Sequence, residues 1–308
     1  MFPPPEVVET EVFAELPPEF RRLRHSAWAD ANQGGRELDS FLEGPSFDAD
    51  GNLYVVDIPH GRIFRITPDG RFTLICEYDG EPNGLKLHRD GRIFIADYKN
   101  GLMQLDPATG DVVQVLARRS TERFKGLNDL FFAPNGDLYF TDQGQTGLHD
   151  ASGRVYRLRD SGRLDLVLDG IPSPNGIVMD AAEGALLVAV TRANSIWRIP
   201  LLPDGTTTKV GVFIQLSGGI GPDGLAMDEQ GNLAVAHAGL GVVWQFDRLG
   251  QPMRRLQSCA GLMTTNLAYG GHDRKTLYIT ESATGRILKA RMSVAGKPMF
   301  AGAGSGAS

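Results

Sequence analysis

The sequence predicts an all-β fold: a six-bladed β-propeller with four-stranded antiparallel blades. Three observations lead there. One plan recurs six times, in which a polar residue opens a short apolar run, a polar turn follows, and a strand-like run ends on a second marked residue. The opening residues are Glu43, Asn83, Asn128, Asn175, Asp223 and Asn266, spaced by 40, 45, 47, 48 and 43 residues. A period of roughly 40–50 residues with several short strands per unit marks a propeller or a similar array. Each repeat also divides into about four short segments at close spacing, as antiparallel meanders do. Finally, 38 Gly and 18 Pro in 308 residues suit a turn-rich β fold. Neither a WD dipeptide nor a kelch double glycine recurs, so no common repeat signature is present.

Taken in order, residues 1–40 are the least regular. Thr10 to Leu16 alternates polar and apolar over most of its length, as a half-buried strand does, and Pro17-Pro18 ends it. Ala29 to Leu38 is polar and reads as a loop. The last repeat ends near Met292 with little clear strand after it, so the N-terminal strand is expected to complete the last blade and lock the ring. Blade 1 shows the unit plan. Asp48-Ala49-Asp50-Gly51 is a turn, and Leu53 to Asp57 and Arg62 to Ile66 are strands. Thr67-Pro68-Asp69-Gly70 is a second turn, where Pro sets φ and Gly supplies φ > 0. Arg71 to Ile75 is the fourth strand. The same reading covers Gly84 to Leu116, Leu130 to Leu168, Ile177 to Ile214, Leu225 to Leu256 and Leu267 to Met292. The unbroken repeat predicts one propeller over residues 1–300, with a flexible Gly-, Ala- and Ser-rich tail at 301–308.

Composition narrows the function. The net charge is −6 with both signs interspersed. No basic stripe exists, which argues against a nucleic-acid partner. No apolar run approaches the ~18–20 residues of a membrane span. The start, Met1 to Glu6, lacks a basic segment followed by an apolar one, so a cytoplasmic location is expected. Cys76 and Cys259 lie far apart without metal or redox spacing and read as idle thiols. No Gly-x-Ser-x-Gly elbow or P-loop appears. Asp48-Ala49-Asp50-Gly51 starts like an EF-hand loop but lacks the later acidic ligands. Gly219 to Gly224 fits Gly-x-Gly-x-x-Gly, but a strand follows it rather than the helix that a dinucleotide requires.

The six opening residues should ring one mouth of the central channel. They read Glu, Asn, Asn, Asn, Asp, Asn, with no Lys or Arg among them. Two carboxylates and neutral amide oxygens make a hard site of net charge −2. It suits a divalent cation, Ca²⁺ foremost. It suits Zn²⁺ less, for want of His and Cys. The competing reading is that Asn or Asp before Gly is ordinary turn chemistry; Glu43 resists it, since Glu is a poor turn former. About 14 residues after each opening residue comes Asp57, Asp97, Asp142, Thr191, His237 or Glu281. Asp57, His60, Tyr98, Lys99, Gln143, Arg192, His237 and Glu281 are candidates for the pocket wall, His237 foremost because it breaks the pattern in the blade that holds Asp223. The recurring Asp57, Asp97 and Asp142 suggest a structural role.

Leu42-Glu43-Gly44-Pro45, Leu127-Asn128-Asp129, Ser173-Pro174-Asn175-Gly176 and Gly221-Pro222-Asp223-Gly224 resemble the signature loops of the SMP-30/gluconolactonase/luciferin-regenerating (LRE)-like family. That family includes sugar lactonases and drug-responsive bacterial lactonases and is related to the diisopropylfluorophosphatases. The resemblance covers about Glu43 to Met292. It implies a six-bladed propeller with a catalytic divalent metal, Ca²⁺ or else Zn²⁺, Mn²⁺ or Fe²⁺. It implies Glu43, Asn128, Asn175 and Asp223 as metal ligands, Asp223 as the catalytic carboxylate, and Asn128 as a contact of metal or substrate. The expected substrate is a small lactone, sugar-type or related, contacted by Asn128, Tyr98, Arg192 and His237. It also leaves Asp142 as an extra ligand position. Animal members carry an Arg two residues before the Asn of the third loop; here that position is Gly126, which removes the basis for a gluconolactone-type contact. Asp223 as general base or as nucleophile, a related ester or phosphoester hydrolase, and a non-catalytic propeller that binds a ligand all remain open at this level.

Overall fold

Six sheets stand around a central channel, each with its first strand innermost. The computed structural model describes residues 4–302. The inner strands are Leu42–Phe47, Pro82–Leu87, Leu127–Phe132, Pro174–Met179, Gly221–Met227 and Thr264–Gly270. Each packs beside the next, and the sixth packs beside the first, so the ring closes. The blades are antiparallel and four-stranded, as the sequence predicts.

The second strands of the first five blades show why the ring holds. Leu53–Asp57, Ile93–Asp97, Leu138–Asp142, Ala185–Val190 and Leu233–Ala238 are buried along their whole length. Both faces of such a strand meet a neighbouring blade, so the strand is apolar throughout rather than alternating. Six buried clusters result, one at each blade interface. Outer strands such as Val112–Leu116 face solvent and carry mixed residues.

The N-terminal strand completes the last blade. Glu11–Glu15 pairs antiparallel with Arg286–Arg291, with Glu11 opposite Lys289 and Val12 opposite Leu288. Just before it, Glu6–Glu9 adds a fifth strand to blade 5, parallel to Pro252–Gln257. Thr10 sits between the two and donates to the Gln257 carbonyl from both its backbone N–H and its hydroxyl. The chain start thus ties blade 5 to blade 6.

One segment departs from the sequence expectation. Overlapping the start of the stretch read as a loop, Ala27–Asn32 is an α-helix, capped by Ser26, whose hydroxyl accepts from the Ala29 N–H at 3.1 Å. Its buried Trp28 rests on Phe41 with ring centroids 4.8 Å apart. The chain after Met292, where the sequence shows little clear strand, packs without forming one among the described residues. Gly296 to Phe300 returns across the far end of the channel, where Lys297 N–H donates to Met227 O at 2.8 Å. There Phe300 stacks on Phe132 at 4.9 Å, and Phe300–Gly302 forms a 3-10 turn. The rest of the expected tail, 303–308, lies outside the described residues. Among the described residues, no helix is long and apolar enough to cross a membrane.

Candidate functional site

Every inner strand breaks register at its opening polar residue or beside it. The irregularities lie between Glu43 and Ser46, Pro82 and Gly84, Leu127 and Leu130, Pro174 and Ile177, Pro222 and Leu225, and Thr264 and Asn266. A bulge re-aims a side chain that regular pairing would turn into the sheet. The opening residues therefore sit inside the first strands rather than in turns before them. The glycines that follow have a different purpose from turn formation. A Cβ on Gly84 would lie 2.7 Å from Asn128 O, one on Gly176 2.3 Å from Asp223 O, and one on Gly224 2.2 Å from Asn266 Oδ1. Glycine is needed because the next blade's opening residue lies against it.

The residues that end the second strands hold this arrangement from behind. Asp57 accepts from Phe41 N–H at 2.8 Å, and Asp97 from Glu81 N–H at 3.0 Å. Asp142 accepts from Lys125 and Gly126 N–H at 2.8 and 2.9 Å, and Glu281 from Met263 N–H at 3.1 Å. Each carboxylate fixes the loop that leads into its own inner strand, a few residues before the opening residue. Across blades, the Thr141 hydroxyl donates to Asn175 O at 2.9 Å, Thr191 to Pro222 O at 2.8 Å and Ser282 to Leu42 O at 2.6 Å.

Glu43, Asn83, Asn128, Asn175 and Asp223 line one cavity of about 100 Å³ at the channel mouth, with Arg192 and Gln143 at its edge. Asn266 does not reach it; its Nδ2 donates to Glu43 Oε2 at 2.9 Å. Asn128 is held by Gln143, which accepts from its Nδ2 at 2.8 Å and in turn donates to the Ser173 hydroxyl at 2.9 Å. Asn175 Oδ1 is buried without a hydrogen-bond partner among the described residues. Trp28, Phe41, Ile58, Ile220 and Met263 supply apolar wall.

The electrostatics of this cavity are unbalanced. Burial pushes the Glu43 carboxyl up to about 7, against the opposing pull of the Gly44 N–H and Asn266. Asp223 is held well above the usual carboxylate range, first by burial and then by the charges of Glu43 and Asp129; the Asn175 amide and Arg192 oppose the shift. Asp129 has its own cation, Lys86, 3.7 Å away. No grouping of three or more His, Cys, Asp or Glu suited to a metal occurs among the described residues, so a cation here would need amide oxygens to complete its set. Two facing carboxylates, Asn128 and the unpartnered Asn175 oxygen provide one. In donor chemistry, that set fits a hard divalent ion.

Other expected wall residues lie elsewhere. His237 is corrected: it is buried in blade 5, its Nε2 is 2.9 Å from Gly218 O, and Trp244 donates to its Nδ1 at 3.3 Å. Its ring is consumed by packing and does not line the cavity. Tyr98 lies one layer back, where its hydroxyl accepts from Gln145 Nε2 at 2.6 Å. Its ring covers Gly126, so a Cβ there would lie 2.5 Å from Tyr98 Cε2. A side chain at position 126 has no room. Asp57, Asp142 and Glu281 hold loops, His60 meets Leu38 O at 3.3 Å, and Lys99 pairs with Asp79. Asn32 and the apolar walls escaped sequence reading. Ser26 before an apolar Trp28 is the cap signal that marks the helix of Trp28 and Asn32.

This geometry has known relatives. The chain belongs to the SMP-30/gluconolactonase/LRE-like family, whose sequence model matches residues 41–283. It is 30% identical over 248 residues to lactonase drp35 of Staphylococcus aureus, covering 77% of this chain and 75% of that protein. Among solved structures, it resembles a calcium-binding protein, regucalcin, of Agrobacterium tumefaciens with a TM-score of 0.76 at 24% identity, over 96% of this chain and 99% of the other. It also resembles a gluconolactonase of Xanthomonas campestris, with a TM-score of 0.73 at 23% identity, over 93% and 97%. At these identities, the two structures speak to the fold.

Proposed function

We propose that this protein is a metal-dependent lactonase that opens the ring of a small lactone, sugar-type or related. The observation that carries the reading is the convergence of Glu43, Asn128, Asn175 and Asp223 on one cavity, with two mutually repelling carboxylates and an amide oxygen that has no partner among the described residues. The lactonase relative at 30% identity supports the reaction class. Glu43, Asn128, Asn175 and Asp223 would hold a divalent cation, Ca²⁺ by the hardness of the donors. Bound there, such an ion supplies Lewis-acid polarisation of the ester carbonyl and stabilises the negative charge that develops on its oxygen. With its charge offset in this way, Asp223 would remain ionised.

The chain's own residues then do the following. Asp223 accepts a proton from water as the water oxygen adds to the carbonyl carbon. The ring C–O bond breaks, and the proton on Asp223 passes to the departing ring oxygen, giving a hydroxy acid. Asn128, held by Gln143, orients the carbonyl end of the substrate. Trp28, Phe41, Ile58 and Met263 pack on its apolar face and limit water. Arg192 binds at the rim. Asp223→Ala should abolish lactone turnover, a loss of about 10³-fold or more. Near-wild-type turnover by a folded Asp223→Ala protein would falsify the assignment.

A further inference from the structure

The cavity at the channel mouth continues beyond the ring. It shares Asn32, Gln143 and Arg192 with a second cavity of about 470 Å³, which runs along the loop after Asp142 and reaches His149. Its amides are already committed. Asn32 Nδ2 donates to Trp28 O at 2.9 Å, and its Oδ1 accepts from Gln145 at 3.0 Å. Gln143 is taken up by Asn128 and Ser173. Arg192 differs. Like several other exposed arginines it forms no ion pair among the described residues, but it alone of the arginines lines both of these cavities. It is exposed at the junction of the two cavities, and its stem runs past Gly147, where a Cβ would lie 3.7 Å from Arg192 Cγ and 3.1 Å from His149 Nδ1.

Charge at the junction points the same way. Glu43 and Asp223 bring −2 and Arg192 +1. On the reading above, a divalent ion at the ring leaves the junction at +1. A neutral lactone leaves that charge unanswered. We infer that the second cavity is a subsite for an anionic substituent on the substrate, a carboxylate carried beside the lactone ring, and that Arg192 is the residue that selects it. The inference rests on the lactonase reading for the rest of the substrate. A guanidinium suits this task because its planar fork matches a carboxylate.

The test compares γ-lactones that bear a carboxylate or a carboxamide at the ring carbon next to oxygen, in wild type, Arg192→Gln and Arg192→Lys. The expected result is a wild-type preference in kcat/KM for the carboxylate of about tenfold or more, carried by KM, lost in Arg192→Gln and partly kept in Arg192→Lys. An equal preference in wild type and Arg192→Gln overturns the inference while leaving the lactonase reading intact. Should no lactone be turned over, that reading fails. The subsite is then judged by calorimetric binding of tetrahydrofuran-2-carboxylate against tetrahydrofuran-2-carboxamide to the Ca²⁺-supplemented protein. A carboxylate preference lost in Arg192→Gln supports the subsite, and a preference that survives it places the carboxylate elsewhere and overturns it.

Discussion

Asn266 donates from Nδ2 to Glu43 Oε2 across 2.9 Å, joining the last blade to the first at the channel mouth. The sixth opening residue thus serves the first one's carboxylate rather than the cavity. Outer partners of this kind orient a ligand and set its basicity, and their loss typically costs about 10–100-fold in metal affinity. Asn266→Ala is therefore expected to weaken Ca²⁺ binding to chelator-stripped protein by that order in a calorimetric titration. Unchanged affinity would mean that Gly44 N–H, at 2.7 Å, suffices to hold Glu43.

The glycines beside the ring should behave as packing residues. Gly176→Ala and Gly224→Ala each push a methyl into the neighbouring blade at 2.3 and 2.2 Å. Each is expected to lower stability by about 2 kcal/mol or more, as overpacking does. Gly184→Ala, with nothing within 4 Å of its Cβ, should change stability by less than about 0.5 kcal/mol. Thermal melting of the three variants checks the contrast, and equal melting points would contradict it.

Asp142 gives a pH dependence with a definite sign. Burial raises its carboxyl from 3.8 to about 6, against the pull of the Gly126 and Lys125 N–H groups. A raised folded value means that the fold prefers the protonated form. The stability that preference provides is present below about pH 4 and is lost as pH rises through about 6. Asp142→Asn does not titrate. Its stability relative to wild type should therefore improve between pH 4 and pH 7.5, by at most about 3 kcal/mol. Denaturant melts at the two pH values measure it, and a constant difference would refute it.

Phe300 anchors the segment that closes the far end of the channel. Its ring stacks on Phe132 at 4.9 Å, and the Arg89 guanidinium lies 4.1 Å from its centroid. Phe300→Ala should lower stability by about 2 kcal/mol. Because this segment meets the inner strands at Ser46, Leu87 and Met227, past the opening residues, Ca²⁺ affinity should not change. A titration on the folded variant separates the two effects.

Much of this arrangement is legible in the sequence because repetition exposes it. Six spaced polar residues before apolar runs are enough to place Glu43, Asn128, Asn175 and Asp223 around one channel. What repetition does not reveal depends on neighbours. Asn before Gly looks the same whether the glycine turns the chain or admits the next blade, and only the contacts of Gly176 and Gly224 separate the two. His237 breaks the repeat, but its ring is spent on Gly218 and Trp244. The helix Ala27–Asn32 is too short for periodicity to show, and its Trp28 is fixed by Phe41 rather than by its own turn. The return of Lys297 to Phe300 follows no repeat at all; its burial depends on a channel that exists only once the ring has closed.

The most direct measurement is hydrolysis of a panel of γ- and δ-lactones by chelator-stripped protein, with Ca²⁺, Mn²⁺, Zn²⁺ or Fe²⁺ restored one at a time. The account predicts negligible turnover without metal and recovery with a divalent ion, Ca²⁺ foremost, in wild type but not in Asp223→Ala. Turnover that survives complete removal of metal, or no turnover of any lactone with metal bound, would contradict it.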